Sequence, residues 1–282
     1  MLLKDDAEEV EAKLSPRARV ILAAYNQTPF LRFVLRGYLR QATTDFSLVL
    51  ADDGSGPEHR MLVEEWRPRL AERGIAIEHV WHEDKGWRKN RIMNESVRRA
   101  GDERLLIFSD GDCVPPAHFV ERHLEVHDSW SFHVAGAIRW TQEVSESLAE
   151  EDIDSGTFES FITESDRRPL EIRARKSRWG TLIRRKNRPK VIGLNMAVDR
   201  ELFEEVNGFD EVFEWPYFGE DSDLRDRLMR LRPRPRVKVL YTKNDVYHLW
   251  HPSSHVGRSH KRDYYSQRRP IRCIKGLVRS EG

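Results

Sequence analysis

Two carboxylates separated by one glycine, Asp110-Gly111-Asp112, close the apolar run Leu105-Leu106-Ile107-Phe108. A short apolar run bounded by turn residues reads as a buried strand, and in open α/β sheets ligands gather at the carboxyl ends of strands. Two hard oxygen donors held there suit a divalent cation that neutralises a diphosphate. The plainer alternative is a strand followed by an Asp-Gly turn. Two other runs end on polar groups in the same way: residues 19–24 lead into Tyr25-Asn26, and residues 46–51 into Asp52-Asp53.

The elements that must position these groups can be read along the chain. Thr28 is expected to cap a helix with Pro29 at its first position. Helices are expected near 58–71 and 90–99, a third strand near 75–81, and a further strand over 132–140. Strands alternating with helices argue for βαβ units and a mostly parallel sheet, with every carboxyl end on one edge. Residues 143–164 are acidic and 167–190 dense in Arg and Lys. A solvated helix and surface loop is the favoured reading of that pair, a mobile lid the sharper one. Order returns at 191–198, followed by a helix near Arg200 and the turn Asn207-Gly208-Phe209-Asp210. The fold class is therefore α/β, divided into a leader at 1–15, one domain over 16–252 (halves 16–125 and 126–252) and a basic tail over 253–282.

Lys plus Arg number 48 and Asp plus Glu 47. That balance, with no nucleic-acid motif, argues against nucleic-acid binding. Two cysteines, Cys113 and Cys273, make neither a disulfide framework nor a zinc set. No apolar run approaches the ~20 residues of a membrane span, and the start of the chain lacks a signal peptide's apolar core. The expectation is a cytoplasmic protein. The tail mixes Arg258, Lys261, Arg262, Arg268, Arg269, Arg272, Lys275 and Arg279 with Tyr264, Ile271, Ile274 and Leu277. A helix there would suit the surface of an anionic membrane; the alternative is a tail packed onto the domain.

The first half resembles the family-2 glycosyltransferases of the GT-A fold, through Ala24-Tyr25-Asn26, Asp52-Asp53-Gly54-Ser55, the stretch Asp84-Lys85-Gly86-Trp87-Arg88-Lys89-Asn90-Arg91, and Asp110-Gly111-Asp112. The second half is similar to the galactosyltransferase and chondroitin-polymerase group. It carries Gly193-Leu194-Asn195-Met196-Ala197, Val206-Asn207-Gly208-Phe209-Asp210-Glu211, Gly219-Glu220-Asp221-Ser222-Asp223 and Val246-Tyr247-His248-Leu249-Trp250-His251-Pro252.

That resemblance implies a GT-A sheet and a metal-dependent, inverting transfer from a nucleotide-sugar, a UDP-sugar by expectation, to a glycan or lipid-linked saccharide in surface polysaccharide synthesis. A retaining enzyme of the polypeptide N-acetylgalactosaminyltransferase type and a non-catalytic nucleotide- or glycan-binding module are the alternatives. Asp112 would bind Mn²⁺ (or Mg²⁺) directly, with Asp110 facing the ribose and reaching the metal through water. His248 would complete the metal site, with His251 its rival; three residues apart on an extended segment, the two would point to opposite faces. Asp53 would bond the base and Tyr25 pack against it. Asn195 and Tyr217 join the nucleotide-sugar site, Tyr217 standing where the family often has Trp. Arg88, Lys89 and Arg91 would meet phosphate oxygens, unless they are an ordinary charged helix start. Asp221 would take the acceptor proton, Glu220 would hold sugar hydroxyls, and Asp223 would cap the following helix.

Overall fold

A computed structural model describes residues 17–214, 219–252 and 269–278. In chain order its elements are β1 (Ala18–Ala24), α1 (Thr28–Leu39), β2 (Phe46–Asp52), α2 (Pro57–Glu72), β3 (Ile77–Trp81), α3 (Lys89–Arg98), β4 (Leu105–Asp110) and β5 (Cys113–Val114). There follow α4 (Phe119–Val126), β6 (Ser131–Val134), β7 (Ala137–Arg139), α5 (Gln142–Ser147), α6 (Glu150–Ser155), α7 (Glu164–Leu182), β8 (Asn195–Asp199), α8 (Arg200–Glu205), α9 (Glu220–Leu228), β9 (Arg236–Val239) and β10 (Val246–His248).

Seven strands form the main sheet in the order β3-β2-β1-β4-β8-β6-β9. β1 and β2 are buried at every position, as expected of aliphatic runs in a parallel sheet covered on both faces. β1 pairs in parallel with β2 and β4. Those carboxyl ends therefore share one edge, where Tyr25, Asp53 and Asp110 stand. One strand departs from the expected arrangement: β8 runs antiparallel to both neighbours, β4 and β6.

The expected single strand over 132–140 is two strands in two sheets. The chain breaks at Ala135-Gly136, and a Cβ at Gly136 would lie 2.3 Å from Asp245 Oδ1. β7 then joins a three-stranded sheet of order β5-β10-β7. Here β10 pairs with β5 antiparallel and with β7 in parallel, which puts Cys113, His248 and Arg139 in one register row.

Three smaller readings are corrected. Gln27, not Thr28, holds the cap position of α1, and its amide donates to His59 Nε2 at 3.0 Å. The basic segment 167–190 supplies most of α7, whose buried Leu170, Ala174, Ser177 and Gly180 recur at helical spacing as one packed face. Residues 269–278 are not helical. Cys273 is buried, Arg269 pairs with Asp210 at 2.6 Å, and Asn207 Nδ2 donates to the Cys273 and Val278 carbonyls at 2.7 and 2.9 Å. That stretch packs onto the domain. The leader, Trp215, Tyr217 and tail residues 253–268 and 279–282, Arg279 among them, lie outside the described residues. Among those described, no helix is long and apolar enough to cross a membrane.

Candidate active site

A cavity of about 890 Å³ opens at the carboxyl edge of the main sheet and is closed on one side by the small sheet. Its first wall comes from β1 and β2. Asp52 and Asp53 are adjacent in sequence, yet their environments divide their roles. Asp52 is fully buried, accepts from the Ser55 amide at 2.8 Å and pairs with His79 at 2.9 Å. Burial pushes its carboxyl up, but hydrogen bonds from His59, His79 and Ser55 win and hold it well below the usual range. Asp52 is a structural anchor. Asp53 lines the cavity and is oriented by His82 Nε2 at 2.6 Å and by the Arg88 amide at 2.8 Å. Gly54 is required between them and the facing loop. Its φ is +102°, and a Cβ there would lie 2.6 Å from Asp84 backbone atoms. Tyr25 is 48% exposed at the mouth and donates to Asp84 Oδ2 at 2.9 Å.

The floor carries alternating charge. Lys89, at the start of α3, reaches Asp110 Oδ1 at 2.5 Å. Burial alone would lower the Lys89 pKa, but Asp110 and Glu220 together raise it, so the ammonium is held charged between two carboxylates. α9 begins at Glu220, after Gly219 at φ +85°. Burial first, and the neighbouring Asp221 second, push the Glu220 carboxyl up. Asp221 also lines the cavity, with Oδ1 accepting from the Ser222 amide at 2.5 Å. Asp223 does not act as the cap; it is buried against Arg227 at 2.7 Å.

On the small-sheet side, Asp112 is 5% exposed and faces both imidazoles. His251 Nε2 lies 3.3 Å and His248 Nε2 3.9 Å from its Oδ2. The expectation that the two histidines point apart is therefore corrected. β10 ends at His248, so strand alternation does not reach His251, and the rings stand 5.2 Å apart. Burial raises the Asp112 carboxyl, but the His251 hydrogen bond and His248 outweigh it and bring it to about 2. Burial lowers the His248 pKa, which keeps a ring lone pair available as a ligand. Ligand atoms of Asp112, Cys113 and His248 lie within 4.8 Å of one another. A buried carboxylate beside imidazole nitrogens could hold a divalent cation.

Several expected site residues go elsewhere. The Arg88 guanidinium donates to the Glu83 carbonyl. Arg91 lines a separate groove with Trp81 and His82. Asn195 is fully buried and donates to the Gly136 and Asn244 carbonyls, each at 2.8 Å, so it ties the two sheets together. Lining residues not singled out from the sequence include Gln27, which donates to Asp112 at 3.3 Å, and Trp87, Arg139, Trp140 and Lys190. Gln27 could have been found as the residue after Tyr25-Asn26; Arg139 has no local signal and enters only through strand register.

The sequence profile of glycosyl transferase family 2 matches residues 19–206. A second profile, described as the N-terminal domain of galactosyltransferase, matches residues 181–252. Validoxylamine A glucosyltransferase of Streptomyces hygroscopicus subsp. jinggangensis (strain 5008) is 32% identical over 114 residues, which are 40% of this chain and 26% of that protein. S. aureus TarS aligns with a TM-score of 0.54 at 16% identity over 83% of this chain and 37% of its own. The mannosyltransferase PcManGT from Pyrobaculum calidifontis, solved with GDP-Man and Mn²⁺, also aligns at 0.54, with 14% identity over 89% of this chain and 60% of its own. GalNAc-T7, solved with UDP, GalNAc and Mn²⁺, aligns at 0.52 with 14% identity over 88% of this chain and 47% of its own. At such identities these solved structures share the fold.

Proposed function

The chain belongs to glycosyl transferase family 2, and from that membership we propose inverting, metal-dependent transfer of a sugar from a UDP-sugar to a glycan or lipid-linked saccharide, as in surface polysaccharide synthesis. One observation carries this reading. A carboxylate flanked by two imidazoles (Asp112, His248, His251) and a pair of helix-start acids (Glu220, Asp221) line the same cavity. The first set suits a leaving diphosphate, the second an attacking hydroxyl.

Asp112 and His248 would hold Mn²⁺, with His251 the alternative imidazole, Asp110 reaching the ion through water, and Cys113 beside them. When bound, the cation supplies positive charge to a departing diphosphate. Asp53 has both oxygens fixed by His82 and the Arg88 amide. A carboxylate has about four lone-pair sites, so it can still accept from a base N–H. Tyr25 offers its ring at the mouth, and Asp110, oriented by Lys89, keeps its second oxygen for a ribose hydroxyl. The acceptor oxygen forms its bond to the anomeric carbon, the bond to the diphosphate breaks with its electron pair leaving on UDP, and the acceptor proton passes to Asp221. Glu220, beside Asp221 at the start of α9, would hold donor or acceptor hydroxyls.

A donor screen scoring UDP release with and without Mn²⁺, followed by NMR of the product anomer, tests the reading. Mn²⁺-dependent release with inverted configuration is expected. A retained configuration would establish the retaining alternative, and binding without turnover on any acceptor would establish a binding module.

A further inference from the structure

A donor diphosphate needs cations, and the three expected from the sequence are engaged or displaced. Lys89 is held by Asp110, the Arg88 guanidinium lies on the Glu83 carbonyl, and Arg91 faces another groove. Two other cations line the cavity: Arg139 and Lys190. Neither head group has a hydrogen bond or ion pair among the described residues. A guanidinium facing such a cavity suits an anionic ligand, because its planar fork matches phosphate oxygens bidentately.

Arg139 is the better placed of the two. It ends β7 and stands in register with His248 of β10. Registered residues of neighbouring strands project to the same face, so Arg139 rises beside the imidazole that faces Asp112. The Trp140 amide donates to the His248 carbonyl at 3.1 Å, which fixes this strand end against β10. Proximity shows in the electrostatics too: the positive charge of Arg139 acts to lower the pKa of both His248 and His251. Lys190 is anchored on another wall, its carbonyl accepting from Tyr241 at 3.0 Å.

We propose that Arg139 is the diphosphate-binding cation of this site, stabilising the negative charge that grows on UDP as the glycosidic bond breaks. The inference rests on the UDP-sugar reading given above. Calorimetry on the full chain with Mn²⁺, using UDP and uridine as probes, tests it. The wild type is expected to bind UDP much more tightly than uridine. Arg139→Ala should weaken UDP about 10-fold or more, the scale of a hydrogen bond to a charged group, with uridine affinity unchanged and Arg139→Lys recovering part of the loss. Arg91→Ala, in the separate groove, should leave UDP affinity within about twofold, since the effect assigned to Arg139 is contact and not general field. A UDP loss under twofold for Arg139→Ala, equal losses for UDP and uridine, or an equal loss for Arg91→Ala would each overturn the assignment. A wild type that binds no UDP with Mn²⁺ would instead sink the donor reading, and this inference with it.

Discussion

The two sheets build the same cavity by opposite means. The large sheet brings Tyr25, Asp53 and Asp110 to its edge on strands of six or seven residues that are almost wholly buried. The small sheet brings Cys113, Arg139 and His248 together on strands of two or three residues drawn from distant parts of the chain. The first is a rigid ledge with chemistry at its rim. The second has little core of its own, and its position depends on polar ties such as Asn195 to Gly136 and Asn244. In the proposed reaction the ledge recognises the nucleoside, and the small sheet handles charge.

That division can be broken at several points. The largest effect is expected at Asp221, which belongs to neither sheet. Asp221→Asn should lower turnover by roughly 10²–10⁴, the scale of general acid–base catalysis, with UDP affinity little changed. Near wild-type turnover on the native acceptor would remove it as the base. Next comes the junction: Asp112→Ala should abolish Mn²⁺-dependent tightening of UDP while uridine binding and the melting temperature stay close to wild type. A parallel loss of uridine binding would erase the distinction between the two regions.

A stability variant probes the strap that backs the ledge. Asn207 carries φ +64°, and its side chain exchanges three hydrogen bonds with residues 273 and 278. Asn207→Ala should cost about 2–4 kcal/mol, from several buried hydrogen bonds at roughly 1 kcal/mol each and a left-handed backbone that alanine tolerates poorly. Urea denaturation reads this directly, and a change under about 0.5 kcal/mol would show the strap to be dispensable.

An effect of pH lies inside the large sheet, where β6 replaces aliphatics with His133, stacked on His123 at 5.4 Å. Burial holds both below their ordinary range, His123 falling from 6.5 to about 4. The unfolded chain therefore binds these protons first as pH falls. The neutral pair is fully stabilising above pH 6.5, and that stability drains below it by about 1.4 kcal/mol per pH unit per histidine at most. Thermal melts between pH 7 and 4.5 should show a slope that His133→Asn reduces. An unchanged slope would place the acid sensitivity elsewhere.

How much of this could be read in advance follows the same contrast. β1, β2 and β4 are legible because each is a run of aliphatic residues, and Tyr25, Asp53, Asp110 and Asp112 come with their ends. Periodicity fails where strands are two or three residues long. Residues 132–140 look continuous, and nothing local reveals that Gly136 must pass against Asp245 and switch sheets. The facing of His248 and His251 depends on where β10 stops, and Arg139 matters only through a neighbour more than a hundred positions away. Of the cations at 88–91, Lys89 does line the cavity. A helix start is legible there, but not that the Arg88 guanidinium turns to the Glu83 carbonyl and Arg91 to a separate groove.

The strap has a consequence for how the protein is made. Arg98 on α3 donates to the Gly276 and Leu277 carbonyls at 2.6 and 2.8 Å, and Glu211 N donates to the Lys275 carbonyl at 2.8 Å. α3 is the helix whose first residue, Lys89, stands between Asp110 and Glu220. Domains fold largely as units while the chain emerges from its N-terminal side. The βαβ ledge can assemble early, but α3 waits without its backing until residues 269–278 have been synthesised. Until then the nascent chain can hold the strand ends of the ledge, while Lys89 sits on a helix whose backing contacts are still missing.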